Sequence, residues 1–405
     1  MSFFTREPDR TGTEPPQHEQ WVELARTLAR EFALTATERE RDGVLPHAEI
    51  QTLKEAGLIN LLIPRELGGE GASFATAVQV VQEISKGDGS IGALLAFQYW
   101  TSSVPRFLDP RTDAEAITRR SAQGRWFWGN LHVPEVEATP NGRGGFTVNG
   151  TKRWSTASGL SDVATIVARR TDVPELLFAV VPTDRPGFIV HHDWDHLGLR
   201  LAETVTVETI DLEVREDEIF RTEAGPVKSL PALFLPVAST FSGALVVGSS
   251  WAAFERARDY TLTRAPRMLS RAITPSDAAA NRDIPTLTRF GQLWGPLKAA
   301  DALVREAGAA IDEVWSTRPD ISQDDVDALT RRAVIARAYS QDVAITTTQS
   351  VYDITGTSAA ANRLGFDRHW RDVRTWAQHD PVVHLLRSLG ENYIAGTPIR
   401  IPALV

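Results

Sequence analysis

The spacing of apolar residues changes twice along the chain, and these changes constrain the fold more than any other feature. From Trp21 to about Arg120, apolar residues recur three and four positions apart, as in amphipathic helices. After Gly124 the pattern alternates with a period of two and is rich in β-branched and aromatic residues, which indicates strands. From about Pro236 to Gly390 the helical spacing returns. The chain is therefore predicted to fold as helices, then a β-domain, then helices.

These changes predict the domain boundaries and an α+β fold class. We expect a flexible N-terminal arm at 1–19, a helical domain at 20–124, a β-domain at 125–235 and a helical bundle at 236–405. The dipeptides Asn141-Gly142 and Asn149-Gly150 are typical of hairpin turns, so antiparallel pairing is expected in the β-domain. The segment Ser322-Gln-Asp-Asp325 indicates a helix start.

The composition excludes several classes of protein. The chain has no cysteine, which excludes thiol catalysis, iron–sulfur clusters and cysteine-based zinc sites. Lys and Arg number 43 and Asp and Glu 52, for a net charge of −9, and no basic run suits a nucleic-acid backbone. Residues 1–19 lack the pattern of a secretory signal, and no stretch reaches the ~18 apolar residues of a membrane span. We therefore expect a soluble, cytoplasmic protein that binds neither nucleic acid nor a membrane.

The motifs exclude further chemistries. His191, His192 and His196 lie in a predicted strand and turn, where neighbouring side chains face opposite ways, so a surface cluster is favoured over a metal site. The chain has no Gly-Xaa-Gly-Xaa-Xaa-Gly segment after a strand, no phosphate-binding loop and no Gly-Xaa-Ser-Xaa-Gly elbow. No metal and no nicotinamide-binding motif are therefore expected.

Several short segments resemble those of a known family and occur in the same order. They are Leu58-Ile-Asn-Leu-Leu-Ile-Pro64, Glu66-Leu-Gly-Gly-Glu-Gly71, Asn149-Gly-Thr-Lys-Arg-Trp154, Leu197-Gly-Leu-Arg200 with Thr204, and Tyr260-Thr-Leu-Thr-Arg264. In these segments the chain resembles the acyl-CoA dehydrogenase superfamily over nearly its whole length. The resemblance implies an N-terminal helical domain, a central antiparallel β-domain and a C-terminal four-helix bundle. It also implies a homotetramer with a flavin between the β-domain and the bundle.

Three further segments are most similar to the flavin-dependent monooxygenase branch of that superfamily, which includes dibenzothiophene monooxygenases. They are Asp88-Gly-Ser-Ile-Gly92, Trp128-Gly-Asn130, and Gly365-Phe-Asp-Arg-His-Trp-Arg-Asp-Val-Arg-Thr375 followed by His379-Asp-Pro381. Acyl-CoA dehydrogenases of the common type carry a catalytic carboxylate near the position of His379. That base is absent or displaced here, which argues against desaturation.

The resemblance implies roles for individual residues. Thr156 is expected to approach the flavin N5, Asn130 to lie beside the peroxide or the substrate, and His379 to act as acid or base on the distal oxygen. The alternatives are a strand hydroxyl for Thr156, a turn amide for Asn130 and a structural imidazole for His379. The other expected cofactor contacts are Trp154, Arg264, Arg267, Gly356, Thr357 and Ser358, and the expected pocket residues are Ala93, Phe97, Trp194 and Trp376.

The departures from the branch also carry predictions. Ala93, Phe97 and Trp376 replace polar side chains of the dibenzothiophene monooxygenases, which predicts a more apolar pocket. Arg264 or Arg267 is expected at the flavin phosphate because a guanidinium binds phosphate bidentately, with a solvated helix-end charge as the alternative. The segment after Arg264 lacks a Phe-Gly pair, which favours FMN over FAD. Arg371 and Arg374 are candidates for subunit contacts.

The leading hypothesis is a two-component flavin-dependent monooxygenase. It would receive FMNH2, or FADH2, from a separate NAD(P)H-dependent flavin reductase and oxidise a hydrophobic aromatic, organosulfur or nitrogen-containing compound with O2, through a flavin C4a-hydroperoxide. The second hypothesis is an acyl-CoA dehydrogenase or oxidase with a relocated base, for which Glu255 or Asp259 is the candidate. The third is a flavin-free binding or assembly module with the same fold.

Overall fold

The computed structural model describes residues 16–108, 112–220, 233–263, 283–317, 321–379 and 382–399. Within these ranges the chain forms helices, then one sheet, then helices, as the apolar spacing predicts. The N-terminal helices are α1 (Pro16–Asp42), α2 (His47–Glu55), α3 (Phe74–Gly87), α4 (Gly89–Leu108) and α5 (Thr112–Gly124). Helix α1 begins at Pro16, so residues 16–19, which were predicted to belong to the flexible arm, are helical instead. Residues 1–15 lie outside the described ranges.

The β-domain is a single seven-stranded sheet. Its strands are β1 (Trp128–Pro140), β2 (Phe146–Ser155), β3 (Val163–Arg170), β4 (Leu176–Pro182), β5 (Phe188–Val190), β6 (Val205–Val214) and β7 (Ile219–Phe220), in the order β5-β6-β2-β1-β3-β4-β7. All pairs are antiparallel except β1 with β3, which corrects the wholly antiparallel expectation. The reason is topological. Strand β2 returns antiparallel to β1, and the chain then crosses to the other side of β1, where β3 runs in the same direction as β1.

One of the two predicted hairpin turns is wrong. Residues 141–145 join β1 to β2, and Asn141 closes this turn by accepting the backbone N–H groups of Arg143 and Gly145. The second dipeptide, Asn149-Gly150, lies inside β2 instead, where the pairing with β6 shifts register. Gly150 has φ +135 there, and an added Cβ would lie 3.1 Å from the Cα of Val136. Gly150 therefore allows a bulge within a strand, because glycine is suited to bulges as well as to turns.

The C-terminal helices are α6 (Phe234–Thr263), α7 (Ile284–Ser316), α8 (Gln323–Thr355), α9 (Asp367–Trp376) and α10 (Val382–Ala395). The three long helices pack on one another, α3 and α4 pack on α6, and the short α9 and α10 pack on α8. Ser322 caps α8 as predicted, with Asp325 completing a capping box. Helix α6 is long and apolar enough to span a membrane, but 89% of its most apolar window is buried inside the fold, as in a core helix.

A buried amide joins the N-terminal helices to the sheet. Gln98 of α4 is fully buried, and its side-chain NH2 donates to the carbonyl oxygens of Ile59 and Trp126, both at 3.1 Å. Its side-chain oxygen accepts the backbone N–H of Trp128, the first residue of β1, at 2.8 Å. Because two of these bonds are buried and the third is partly buried, they fix the position of α4 against the start of β1.

Helix α9 holds the loop that precedes β6. The Asp372 carboxylate accepts the backbone N–H of Leu199 at 2.7 Å, and Arg371 donates to the carbonyl oxygen of Leu197 at 3.1 Å. Gly198 lies against the backbone of Arg371, where an added Cβ would be only 2.1 Å from the carbonyl carbon. Burial, reinforced by the nearby Glu40 carboxylate, raises the pKa of Asp372 to about 7. The side chain predicted for subunit contacts, Arg371, is thus engaged within its own chain.

This raised pKa predicts how stability depends on pH. Between pH 4 and 7 the folded chain keeps the Asp372 proton that the unfolded chain releases, so this group's contribution to stability falls as pH rises through 7. The Asp372→Asn variant keeps the acceptor for Leu199 without the titration. Its melting temperature should therefore fall less between pH 5 and pH 8 than that of the wild type, by about 3 °C or more.

Calorimetry at the two pH values would measure this difference. The matched control is Asp367→Asn, which changes a half-exposed carboxylate on the same helix. This control should keep the wild-type pH dependence. Equal pH dependence in the wild type and Asp372→Asn would contradict the assignment.

Candidate active site

A cavity of about 910 Å³ lies where the sheet meets helices α4, α6, α8 and α9. Eight of the residues predicted from the sequence line it together, although they come from five separate segments of the chain. They are Ala93, Phe97, Asn130, Trp154, Thr156, Trp194, Trp376 and His379. The convergence is a property of the fold; the individual roles of these residues stay predictions.

Thr156 lies in the cavity wall immediately after β2 and is buried. Its hydroxyl oxygen accepts a hydrogen bond from the Thr204 hydroxyl at 3.2 Å, and Thr204 also lines the cavity. Among the described residues Thr156 makes no bond to a neighbouring backbone group, which was the alternative for this hydroxyl. Its own proton is therefore available to a molecule in the cavity.

Asn130 and His379 contribute the other predicted polar groups. The Asn130 side-chain oxygen accepts the backbone N–H of His132 at 3.2 Å, which leaves the amide NH2 as its donor group. His379 follows α9, and its ring stacks on Trp376 with centroids 5.0 Å apart and planes at 19°. Phe97 covers the same imidazole at 5.9 Å. The histidine is thus held by aromatic rings at the edge of the cavity, while its side chain remains exposed.

Three aromatic rings form a surface beside Thr156. Trp154 has φ +61 at a register shift of β2, a backbone conformation that bulky side chains rarely adopt. Its side chain is 58% exposed and meets Trp194 edge to face at 6.1 Å. Trp194 in turn stacks on His196 at 3.6 Å and donates its indole N–H to the carbonyl oxygen of Leu199. Strained backbone that exposes a large aromatic ring is typical of a ligand-binding surface.

From the sequence, no role in the cavity was expected for several charged and polar residues that line it. His132, two positions after Asn130, lies in the cavity wall, and burial together with the Lys152 charge lowers its pKa to about 3. Burial also lowers the pKa of Lys152, whose ammonium lies 3.5 Å from the exposed Glu135 carboxylate. Lys152 stands inside a motif quoted above, and His132 shares a strand with Asn130, so both had a sequence signal. Arg337 of α8 also lines the cavity and had no such signal. Arg374 of α9, which the sequence suggested for subunit contacts, lies in the cavity wall as well.

The predicted phosphate contacts lie elsewhere. Gly356, Thr357 and Ser358 follow α8 and do not line the cavity; Thr357 and Ser358 are exposed. Ala359, next to them, packs with Ala257 near the C-terminal end of α6. The α6 residues that line the cavity end at Ser242, about 22 Å earlier along the helix at 1.5 Å per residue. Arg264 and Arg267 lie outside the described residues.

The carboxylates proposed as relocated bases also lie away from the cavity. Glu255 is 3.9 Å from the Lys86 ammonium, and Asp259 pairs with Arg258 on the exposed side of α6. Among the described residues that line the cavity, the one carboxylate is Glu135, which is paired with Lys152. The described part of the wall therefore offers no unpaired carboxylate for abstracting a proton from a substrate.

The histidine cluster has hydrogen-bond and stacking partners of its own. His191 lies 3.1 Å from the Glu208 carboxylate, and His192 lies 2.6 Å from that of Glu203. His196 stacks on Trp194. Across the described ranges, no group of three His, Asp or Glu side chains is placed to hold a metal ion.

The sequence matches three family models, which describe three domains of the same protein family. The models describe the acyl-CoA dehydrogenase N-terminal domain, over residues 15–106, the middle domain, over 130–211, and the C-terminal domain, over 240–383. The chain therefore belongs to the acyl-CoA dehydrogenase family.

Several similar proteins within this family are monooxygenases. Dibenzothiophene monooxygenase of Rhodococcus erythropolis is 31% identical over 393 residues, which are 93% of each chain. The structure of TdsC from Paenibacillus sp. A11-2 with FMN and indole is 28% identical, with a TM-score of 0.88 over 95% of this chain and 99% of that one. Methanesulfinate monooxygenase MsuC from Pseudomonas fluorescens matches with 28% identity and a TM-score of 0.88, over 97% and 100%.

Proposed function

We propose that the protein is a two-component monooxygenase that uses reduced FMN and O2 to oxidise a hydrophobic aromatic or organosulfur compound. The observation that carries this proposal is the cavity itself. It combines the donors of Thr156 and Asn130, the imidazole of His379 and an aromatic wall, and its described part has no unpaired carboxylate. An acyl-CoA dehydrogenase needs such a carboxylate, and Glu255 and Asp259 do not reach the cavity.

The residues present fit a reduced flavin. The exposed face of Trp154 would offer a flat apolar contact for the ring, and the Thr156 hydroxyl would be the donor or acceptor for N5. TdsC, which shares this fold at 28% identity, was solved with FMN, and this supports FMN over FAD. When bound, reduced FMN supplies two electrons, so that one oxygen atom of O2 enters the substrate and the other leaves as water.

The side chains would act on the substrate and on protons. The Asn130 NH2 would orient a polar atom at the reacting end, and the His379 imidazole would give or take the proton that the oxygen transfer requires. Trp376 and Phe97 pack against the ring of His379 and would hold it in place at the edge of the cavity. The chain has no nicotinamide-binding motif, so a separate NAD(P)H-dependent reductase in the cytoplasm would supply the reduced flavin.

Rapid mixing of anaerobically reduced FMN and protein with oxygenated buffer tests the proposal. A monooxygenase site protects the reduced flavin while it reacts with oxygen, so the absorbance of oxidised FMN should return more slowly than for free FMN, with a transient before it. FAD run in parallel should show a smaller delay. Immediate reoxidation with either flavin would reject the proposal, and bleaching of bound FAD by an acyl-CoA thioester would favour the dehydrogenase alternative.

His379→Ala tests the proton-transfer role. We expect unchanged FMN binding and product formation reduced about 100-fold, as for loss of a general acid or base. Product is measured with whichever compound the wild type oxidises in a panel that includes indole and dibenzothiophene. The control is His384→Ala on α10, a histidine outside the cavity, which should keep wild-type activity. Full activity of His379→Ala would remove His379 from the mechanism.

We also propose a homotetramer in which neighbouring copies complete each flavin site. The cavity and residues 356–358 lie too far apart along the bundle for the short ribityl chain of one FMN to join them within a chain. Apolar side chains stand exposed on α7 and α10, among them Trp294, Tyr393 and Ile394, with Tyr393 91% and Ile394 86% exposed. Burial of such side chains against another copy would favour assembly.

Co-expression of two inactive variants tests this arrangement. One carries His379→Ala in the cavity, and the other carries Ser358→Asp, whose added negative charge repels the flavin phosphate. If the cavity of one copy uses the loop of another, mixed assemblies regain up to about a quarter of wild-type activity, because one combination in four is intact on both sides. Absence of activity in mixed assemblies, confirmed by two affinity tags, would place the complete site within one chain.

A further inference from the structure

Leu199 joins a buried carboxylate to an aromatic ring of the cavity through its main chain. Its backbone N–H donates to the Asp372 carboxylate at 2.7 Å, and its carbonyl oxygen accepts the indole N–H of Trp194, also at 2.7 Å. Asp372 is 2% exposed and does not line the cavity, whereas Trp194 does. A carboxylate outside the cavity is therefore connected to the cavity wall through a single residue.

The backbone conformation of Leu199 makes this connection directional. Leu199 has φ +51, in the left-handed region that residues with a side chain rarely adopt. Rotation to a negative φ would relieve this strain, but it would also turn the carbonyl oxygen of Leu199 relative to its N–H. The bonds to Asp372 and Trp194 hold the strained conformation from both sides. Loss of the bond to Asp372 would remove one of these two restraints.

The carbonyl oxygen of Leu199 also supports the turn that follows Thr156. It accepts the backbone N–H of Ala202 at 3.0 Å, and the carbonyl oxygen of Ala202 accepts the N–H of Ala157 at 3.3 Å. Ala157 directly follows Thr156 and likewise has a positive φ, +65. The chain of bonds from Asp372 therefore also reaches the main chain beside the hydroxyl expected at the flavin N5.

Trp194 lies at the centre of the aromatic surface described above. It stacks on His196 with centroids 3.6 Å apart and planes at 13°, and it meets Trp154 edge to face at 6.1 Å. Trp154 in turn meets His196 at 5.2 Å. Displacement of Trp194 would therefore disturb both rings that pack on it, including the one expected to contact the flavin.

Helix α9 links the same wall to the expected acid or base. Trp376 lies four residues after Asp372, about one turn further along the helix, and stacks on His379. Helix α9 thus supports Trp194 through Asp372 and His379 through Trp376. The two parts of the site keep a fixed relation to each other only while both contacts persist.

We propose that Asp372 is a positioning residue that acts through the main chain of Leu199 to hold Trp194, and with it the aromatic surface beside Thr156, in the geometry that receives the flavin. This inference rests on the proposed function, because it takes that wall as the flavin site. It assigns Asp372 no contact with the flavin or the substrate. The carboxylate instead orients the groups that make those contacts.

Fluorine NMR of the protein labelled with 5-fluorotryptophan tests the positioning directly and needs no flavin. The chain has 11 tryptophans, and the resonances of Trp194, Trp154 and Trp128 are assigned by replacing each residue with Phe. In Asp372→Ala, which removes the acceptor for Leu199, we expect the Trp194 and Trp154 resonances to shift or broaden. Trp128, which does not line the cavity, should keep its resonance.

The affinity for oxidised FMN, measured by quenching of flavin fluorescence, gives a second readout. Asp372→Ala should raise the dissociation constant about tenfold, the effect of losing one hydrogen bond. Asp372→Asn keeps an acceptor for the Leu199 N–H and should retain the wild-type resonances and most of the affinity. The matched control is Asp301→Ala, which removes a buried carboxylate of α7 that binds Gln82 and Arg305. It should change neither readout.

A double variant separates the chain of bonds from general effects on structure. Trp194→Phe keeps an aromatic ring but removes the N–H that binds Leu199, and it should also weaken FMN binding about tenfold. Because both substitutions break the same chain, Asp372→Ala combined with Trp194→Phe should weaken binding about tenfold and not about a hundredfold. Trp194→Phe leaves the buried surroundings of Asp372 intact, so it tests the chain even if Asp372→Ala does not fold.

Four results would overturn the inference. They are an unmoved Trp194 resonance in Asp372→Ala, equal losses of affinity in Asp372→Asn and Asp372→Ala, additive losses in the double variant, and wild-type FMN affinity in Trp194→Phe. A displaced Trp194 resonance in Asp372→Ala, with wild-type protein that reoxidises reduced FMN as fast as free FMN, would reject the proposed function and leave the positioning of the ring standing. An unmoved resonance with a normal delay in reoxidation would do the reverse.

Discussion

The buried side chain of Gln98 connects the two halves of the cavity wall. Its three hydrogen bonds hold α4, which carries Ala93, Phe97 and Trp100, against the start of β1, which carries Asn130 and His132. Loss of this amide would leave the Trp128 N–H and two carbonyl groups unpaired in an apolar environment, at a cost of about 1–3 kcal/mol for each group. The relative placement of helix and sheet, and with it the shape of the pocket, depends on these bonds.

The order of the domains follows from the sequence because it depends on local periodicity. The three-and-four spacing before Gly124 and the alternation after it record which faces are buried, and burial dominates local structure. Asn149-Gly150 shows where this reasoning fails: the same dipeptide permits a turn or a bulge, and the pairing of β2 with β6 decides between them. The parallel contact of β1 with β3 likewise depends on the path of a connection, which no local pattern encodes.

The candidate site was predictable only through resemblance. Thr156, Asn130 and His379 are ordinary residues in their own segments, and only the fold brings them to one cavity. Lys152 and His132 become informative once their burial is known, because burial changes their protonation and leaves polar atoms without partners. The distance between residues 356–358 and the cavity depends on the length of the bundle helices, and the sequence alone does not reveal that one molecule of FMN is too short to span it.

The loop at residues 197–201 is attached to its surroundings through its main chain. Asp372, Arg371 and Ser90 bind the amide groups of Leu199 and Leu201 and the carbonyl of Leu197, so none of these bonds uses a side chain of the loop. The side chains of Leu197 and Leu199 face the cavity. Leu197, which is 51% exposed, can therefore diverge during evolution without breaking these bonds, provided that Gly198 is kept, and a new substrate range can arise at this position at little cost to stability. Leu199 lacks this freedom because it is buried beside Ala93 and Phe97.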